Sequence, residues 1–381
     1  MYIVDFKRTP IGKFLGSLSH LSSYELARPL FSYFLKTYPF LLNKTDEVIM
    51  GGVLTAGVGM NPARIASVEA GISTSVPAYI INQVCASGMN AIIQGFRSIR
   101  TEENHLVLAG GMESMSQAPY IVKGARQGLK FGSKTLVDSL YQDGLYCALS
   151  KKIMGITAEH IAKKFEIKRE DQDQYAFKSH QKALKSQNDG MFLDQIISVA
   201  DLKKDESPRI DTSLKKLALL KPFFKSNGSV TAGNSSGIND GAALLLLASE
   251  KALKKYQLTP LAKIRDSVFI GLNPELMGLG PIYAINKLLK RNNLKIQDID
   301  LFEINEAFAV HVLVVMRELK IDDSKINIFG GAIALGHPLG MSGARIVGNL
   351  CKALKKKKSK LGIAALCVGG GQGVAVLIEK V

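Results

Sequence analysis

The sequence predicts an α/β protein of two similarly built halves, separated by a segment of different character. Three observations predict it. Short apolar runs alternate with amphipathic ones from residue 46 to about 110, and the same alternation returns from residue 298 to the carboxyl end. Between them, from about Ser114 to Ser236, the chain turns rich in Lys, Asp, Gln and Ser. Alternating apolar strands and helices indicate a parallel sheet covered on both faces. A recurring element order with little residue identity indicates a repeat of architecture. A length of 381 residues also exceeds one ordinary core, so two or three domains are expected.

The elements follow in order. Residues 1–10 read as a strand and a turn, 47–53 as a strand, and 62–70 as a helix. Residues 76–81 form the next apolar run, 89–96 have helical spacing, and 106–110 are again a strand. In the middle segment, 157–165 and 169–186 are amphipathic helices, and insertions of this kind usually carry binding function or form lids. The run AALLLLA at 242–248 re-enters a buried core and is assigned to the first half. The second half reads strand 298–303, helix 307–319, strand 326–329, a helix from near Ser342, and strands 362–368 and 374–378. The expected divisions are 1–115 with 237–262, then 116–236 as an inserted loop domain, then 263–381.

Composition limits the function classes. Hydrophobic residues make up 46% and charged residues 22%, as in a water-soluble globular protein. No apolar run approaches the ~20 residues that span a bilayer. The first residues lack the layout of a signal or transit peptide, so a cytoplasmic location is expected, with no membrane partner. Four scattered cysteines, Cys85, Cys147, Cys351 and Cys367, show neither zinc spacing nor a disulfide framework, and no metal is expected. The net charge of +16 attracts phosphate-bearing partners. No nucleic-acid motif accompanies it, so no nucleic-acid partner is expected.

Four features carry chemistry. In NQVCASGMN (82–90), Cys85 sits at a strand-to-helix turn among small residues. It is either a nucleophile or a core filler, since free cysteine is among the most buried residue types. His337, in Gly336-His337-Pro338-Leu339-Gly340, is held on a stiff turn, where it is a base beside a thiol or a structural imidazole. Cys367 precedes a glycine run, CVGGGQG, that exposes N–H donors. A dinucleotide loop fits poorly there, because only eight residues follow and cannot supply the crossover helix, and an oxyanion-binding turn beside a thiol fits better. Asn305, in NEAFA, is either a helix N-cap or a group aimed into a cleft. All four fall at strand carboxyl ends, where open α/β sheets bind ligands.

These stretches, with KRTPIG at 7–12, GGMESMS at 110–116, VTAGNSSG at 230–237 and GGAIALGHPLG at 330–340, resemble the thiolase family in family order over essentially the whole chain. The resemblance is to the acetyl-CoA acetyltransferase type. It implies two βαβαβαββ halves in a five-layered α-β-α-β-α core, plus an inserted loop domain. It further implies that Cys85 takes the acyl group, that His337 deprotonates it, and that Cys367 removes a proton from the second acyl-CoA. Asn305 and His337 would line one oxyanion site, and the backbone N–H groups of Cys85 and Gly369 the other. Arg209, Ser236, Ala232, Met154, Leu145 and Phe308 would contact coenzyme A or its substrate. The implied reaction joins two acetyl-CoA into acetoacetyl-CoA and CoA, or reverses it, with no tightly bound cofactor and with a dimer or tetramer as the working form. A degradative 3-ketoacyl-CoA thiolase is the alternative. Four residues depart from the family pattern: Ala86, Ile153, Phe329 and Met341. An apolar Ile153 bears on chain-length preference.

Overall fold

The structure, a computed structural model, describes residues 1–381. The first half supplies β1 (Tyr2–Arg8), α1 (Ser23–Thr37), β2 (Glu47–Gly51), α2 (Pro62–Glu69), β3 (Ala78–Ile81), α3 (Ser87–Arg100) and β4 (Leu106–Ser114). Helices α4 (Met154–Lys164) and α5 (Arg169–Asn188) belong to the middle segment, which leads into β5 (Asn239–Ala248). Then come β6 (Ala262–Gly271), α6 (Gly280–Arg291), β7 (Leu301–Ile304), α7 (Ala309–Leu319), α8 (Leu339–Lys357), β8 (Leu361–Val368) and β9 (Gln372–Lys380). Local chemistry sets several ends. Ser22 and Glu25 close a capping box on α1, and Pro62 and Pro281 occupy first-turn positions where no N–H is missed.

The strands form one sheet in the order β7-β8-β9-β6-β1-β5-β4-β2-β3. Only two residue pairs, Tyr2 with Lys263 and Ile3 with Ala262, join the halves through β1 and β6. Each half-sheet is covered on both faces. Helices α1 and α2 cover the outside of the first, and α6 and α7 the outside of the second. Helices α3 and α8 lie between the two half-sheets in a shared core of 38 buried residues. The result is the five-layered α-β-α-β-α arrangement.

The middle layer positions the chemistry, because α3 and α8 meet backbone to backbone at their amino ends. A Cβ on Gly340 would lie 2.5 Å from the Met112 carbonyl oxygen, and one on Gly88 2.5 Å from that of Gly340. Only glycine allows this approach. It draws the turn before α3 and the turn before α8 together, and those turns carry Cys85 and His337.

Several sequence expectations are corrected. The sheet is mixed, not parallel: β1, β4 and β5 pair antiparallel, as do β6, β8 and β9, while β2–β3, β2–β4 and β7–β8 are parallel. Full burial gives parallel and antiparallel strands the same apolar run, so periodicity could not separate them. Residues 326–329 are a turn with one isolated bridge, Ile326 to Phe302. Asn327 takes φ of 45°, and its side chain bonds both the N–H and the carbonyl of Ile304, at 2.8 and 2.9 Å, in place of a strand. The strand expected at 298–303 begins at Leu301 after a short 3-10 turn, and the helix expected from 307 begins at Ala309. Phe308 is its N-cap residue, which removes the N-cap reading of Asn305.

Candidate active site

Cys85 follows a backbone outlier. Val84 has φ of 47°, a left-handed conformation costly for a β-branched residue. The turn is over-determined. Asn82 Oδ1 accepts from the Val84 N–H at 3.0 Å, and Ser87 Oγ accepts from the Gln83 N–H at 2.8 Å. Gln83 Nε2 also donates to Gln372 Oε1 in the second half at 2.9 Å. Although Cys85 as a residue is only partly buried, burial of its sulfur pushes the thiol up to about 11. The backbone N–H groups of Gly369 and of Cys85 itself pull the other way.

His337 is fixed on three sides. Gly336 takes φ of 111°, and the His337 N–H donates to Asn239 Oδ1 at 3.0 Å. Asn239 also donates from Nδ2 to the Gly12 carbonyl and to Ser207 Oγ, so β5 holds the loop through one amide. The ring Nδ1 lies 2.5 Å from Ser342 Oγ, whose single hydrogen is committed to the Pro338 carbonyl at 2.8 Å. The hydrogen between ring and hydroxyl must therefore sit on Nδ1, and Nε2 carries the lone pair. Asn305 Nδ2 donates to that Nε2 at 3.3 Å. Burial, with the Arg345 charge adding to it, lowers His337 to about 3. Its neutral form can accept a proton.

Asn305 is held by the residue after it. The buried Glu306 carboxylate accepts from Tyr175 Oη, Ser179 Oγ, Asn327 Nδ2 and the Ile333 N–H, between 2.6 and 3.1 Å. It ties the Asn305 turn to α5 and to the loop before His337. Cys367 closes β8 at 1% exposure, and its sulfur lies 3.7 Å from His311 Nδ1. Burial, then the neighbouring Cys85, pushes the Cys367 thiol well above its ordinary value.

A cavity of about 380 Å³ gathers nearly all the expected residues: Cys85, His337, Cys367 and Gly369 line it together with Leu145, Met154, Arg209, Ala232, Ser236 and Phe308. Asn305 does not line it and reaches it through His337. Most of the remaining wall is apolar, including Ile153, Phe224, Met277 and Leu339. A second cavity of about 470 Å³ shares Arg209, Ala232, Ser235, Gly237 and Ile238 with the first and adds Lys13, His180 and Lys216. A polar, cationic vestibule thus opens into an apolar tunnel. The Ser236 N–H donates to the Ala307 carbonyl at 3.0 Å and the Ala309 N–H to that of Asn234 at 2.9 Å, stitching VTAGNSSG to NEAFA. No group of three or more His, Cys, Asp or Glu side chains is placed to hold a metal, and no helix is long and apolar enough to cross a membrane.

Sequence reasoning missed Asn239, Ser342, Glu113 and His311. Glu113 lies inside the quoted GGMESMS, yet nothing in the motif reveals that its carboxylate gathers the N–H groups of Val53, Leu54 and Gly340, at 2.8 to 3.1 Å. Ser342 lies five residues after His337, a spacing on which the first turn of a helix can return a hydroxyl to the ring. His311 gave a usable signal: a histidine in the apolar run Ala309–Leu319, where every imidazole needs a partner.

Two family models match the chain, "Thiolase, N-terminal domain" over residues 1–251 and "Thiolase, C-terminal domain" over 258–380. A "probable acetyl-CoA acyltransferase" of Staphylococcus epidermidis is 46% identical over 387 residues, covering 99% of this chain and 98% of that protein. One of Staphylococcus aureus is 45% identical over 98% of this chain and 97% of its own. Among solved structures, the Bacillus anthracis acetyl-CoA acetyltransferase superposes with a TM-score of 0.96 at 41% identity, covering 100% of this chain and 98% of that one. The human mitochondrial 3-ketoacyl-CoA thiolase, in complex with CoA, gives the same four values.

Proposed function

The chain belongs to the thiolase family, and from that premise we propose that it condenses two acetyl-CoA into acetoacetyl-CoA and CoA, or runs the thiolytic reverse, through acyl-Cys85. At the coarser level it is an acyltransferase of that family. The observation that supports the acyl-Cys85 route is the convergence of two thiols and an unprotonated imidazole Nε2 on the lining of one apolar cavity. In the first half-reaction the Cys85 thiol gives its proton to His337 Nε2 as the sulfur attacks the thioester carbonyl. The carbon–sulfur bond to CoA then breaks, and the proton leaves with the CoA thiol. The Gly369 and Cys85 N–H groups face the Cys85 sulfur and are suited to an oxyanion on the attacked carbonyl. In the second half-reaction Cys367 takes a proton from the α-carbon of another acetyl-CoA. The resulting carbanion attacks acetyl-Cys85, and Cys85 leaves. Asn305 stands behind His337, donating from Nδ2 to its Nε2, and Asn305 Oδ1, buried without a protein partner, is suited to accept from a water beside that thioester. The vestibule cations Arg209 and Lys13, with Lys216 paired to Asp211 at 2.7 Å, suit the phosphates of CoA.

The test is a brief pulse of acetyl-CoA followed by mass spectrometry, with an acetyl adduct expected on Cys85 and none in Cys85→Ala. Cys367→Ala should still acetylate Cys85 but lose condensation; loss of both steps together contradicts this division of labour. A second reading, thiolysis of longer 3-ketoacyl-CoA chains, is favoured by the apolar wall at Ile153 and Met277. Thiolysis rates compared across acyl lengths separate the two. Rates that do not favour the short chain establish the second.

A further inference from the structure

Building on the thiolase reading, the unexplained group beside the site is His311. It lies on α7, is 1% exposed, and its Nδ1 is the one side-chain hydrogen-bond partner of the Cys367 sulfur, at 3.7 Å. The ring is clamped. Phe308 meets it edge-on with centroids 5.1 Å apart, and a Cβ on Gly278 would come within 2.3 Å of its Cδ2. Its other nitrogen, Nε2, is buried with no partner. A buried imidazole with one partnered nitrogen should keep its hydrogen on the partnered side, because an orphaned N–H is costlier than an orphaned lone pair. The hydrogen then sits on Nδ1 and faces the sulfur.

We propose that His311 is a positioning residue that donates its Nδ1–H to Cys367 and holds it as the thiolate that the condensation half-reaction requires. Hydrogen bonding to a charged form favours that form, and here it opposes the burial that disfavours a thiolate. The proton balance closes with Cys367 as thiolate. The α-proton moves to Cys367 and the carbon–hydrogen electron pair stays on the carbanion, which then forms the new carbon–carbon bond at acetyl-Cys85 as the Cys85 carbon–sulfur bond breaks. Cys85 leaves as a thiolate, the proton passes from Cys367 to it, and Cys367 is again ionised. His311 stays neutral throughout, in keeping with burial lowering it to about 3. No charged side chain contributes to that shift, and the titratable group facing the ring is Cys367, with Cys85 beyond it.

The experiment compares His311→Leu and His311→Gln with the wild type in two readouts, Cys85 acetylation and deuterium exchange at the α-carbon of acetyl-CoA. Leucine should leave acetylation within about twofold and slow exchange about 10- to 100-fold, the worth of a hydrogen bond to a charged group. Glutamine keeps a side-chain N–H and should restore most of the exchange. Unchanged exchange in the Leu variant, or acetylation falling in parallel, overturns the proposal. Glutamine behaving like leucine overturns it too. Histidine nitrogen NMR of the folded wild type supplies an independent check: a hydrogen on His311 Nε2 refutes the assignment even should the Leu variant fail to fold. If the wild type forms no acetyl-Cys85 at all, the thiolase reaction itself fails; if it does and only the exchange result is wrong, His311 alone is misassigned.

Discussion

Replacing Ser342 by alanine isolates the hydrogen bond that sets the His337 tautomer. The hydroxyl is fully buried, accepts from His337 Nδ1 at 2.5 Å and donates to the Pro338 carbonyl at 2.8 Å. In Ser342→Ala the Nδ1–H loses its acceptor in a site where His337 is 5% exposed, which costs about 1–3 kcal/mol of stability. The catalytic cost is separate. A neutral hydrogen bond is worth about 1 kcal/mol and one to a charged group about 1.5–3. Only the difference, about 0.5–2 kcal/mol, appears as the ring becomes imidazolium in the acylation step. That is about a 2- to 30-fold slower acetylation of Cys85. Single-turnover mass spectrometry measures the acetylation rate, and denaturant unfolding measures the stability. A destabilised variant that acetylates at the wild-type rate would show that Ser342 supports the fold alone, and the assignment of Nε2 as the base would lose its main ground.

Three further outcomes follow from the same geometry. Gly340→Ala places a methyl 2.5 Å from the Met112 oxygen and 2.9 Å from that of Gly51, so unfolding free energy should fall by about 1–3 kcal/mol, with the start of α8 displaced from β4 and β2. A melting curve unchanged from wild type contradicts the close approach. Burial raises Glu113 from 4.5 to about 7, so its folded state binds more protons than its unfolded state between those values. The stability this gives is full below 4.5 and lost as pH rises through about 7, so the advantage of wild type over Glu113→Gln should shrink from pH 5 to 8; a widening gap refutes the sign. With His337 at about 3 and Cys85 at about 11, the reactive neutral pair persists across that whole range. Acetylation between pH 5 and 9 should therefore show no inflection near 6.5, and an acid limb there contradicts a buried neutral imidazole.

The candidate site was more legible in the sequence than the sheet that carries it. Cys85, His337, Asn305 and Cys367 stand out because each breaks an apolar element with turn chemistry, and turns are where sequence is most explicit. Strand direction left no such mark. The fully buried β5 reads as one apolar run whether its neighbours are parallel or antiparallel. Residues 326–329 misled for a related reason: Ile326-Asn327-Ile328-Phe329 alternates like a strand, but the Asn327 side chain takes the place of a strand at β7. Supporting residues were hidden because their roles are non-local. Asn239 and His337 are 98 positions apart, and Glu113 and Gly340 are 227 apart, so no window along the chain contains either pair.

The repeated architecture gives these pairs a common logic. In each half a strand ends in a turn that opens a helix into the middle layer, α3 after Cys85 and α8 after His337. Such a turn is usually read as an anion site, since a helix amino end favours negative charge. Cys85 sits just before α3, and burial pushes its thiol up to about 11 while the Gly369 and Cys85 N–H groups pull it down. In the proposed reaction, specific hydrogen-bonding neighbours are what oppose that burial. Cys85 shares its cavity with the lone pair of His337 and faces the Gly369 N–H, while Cys367 has only His311. The two thiols share one cavity and their ionisation is coupled, since Cys85 raises Cys367, so each has its own imidazole to favour charge at a different step of the proposed reaction. The proposed reaction, an acyl-thioester first and a carbanion second, charges the two thiols in turn rather than together, which fits that coupling.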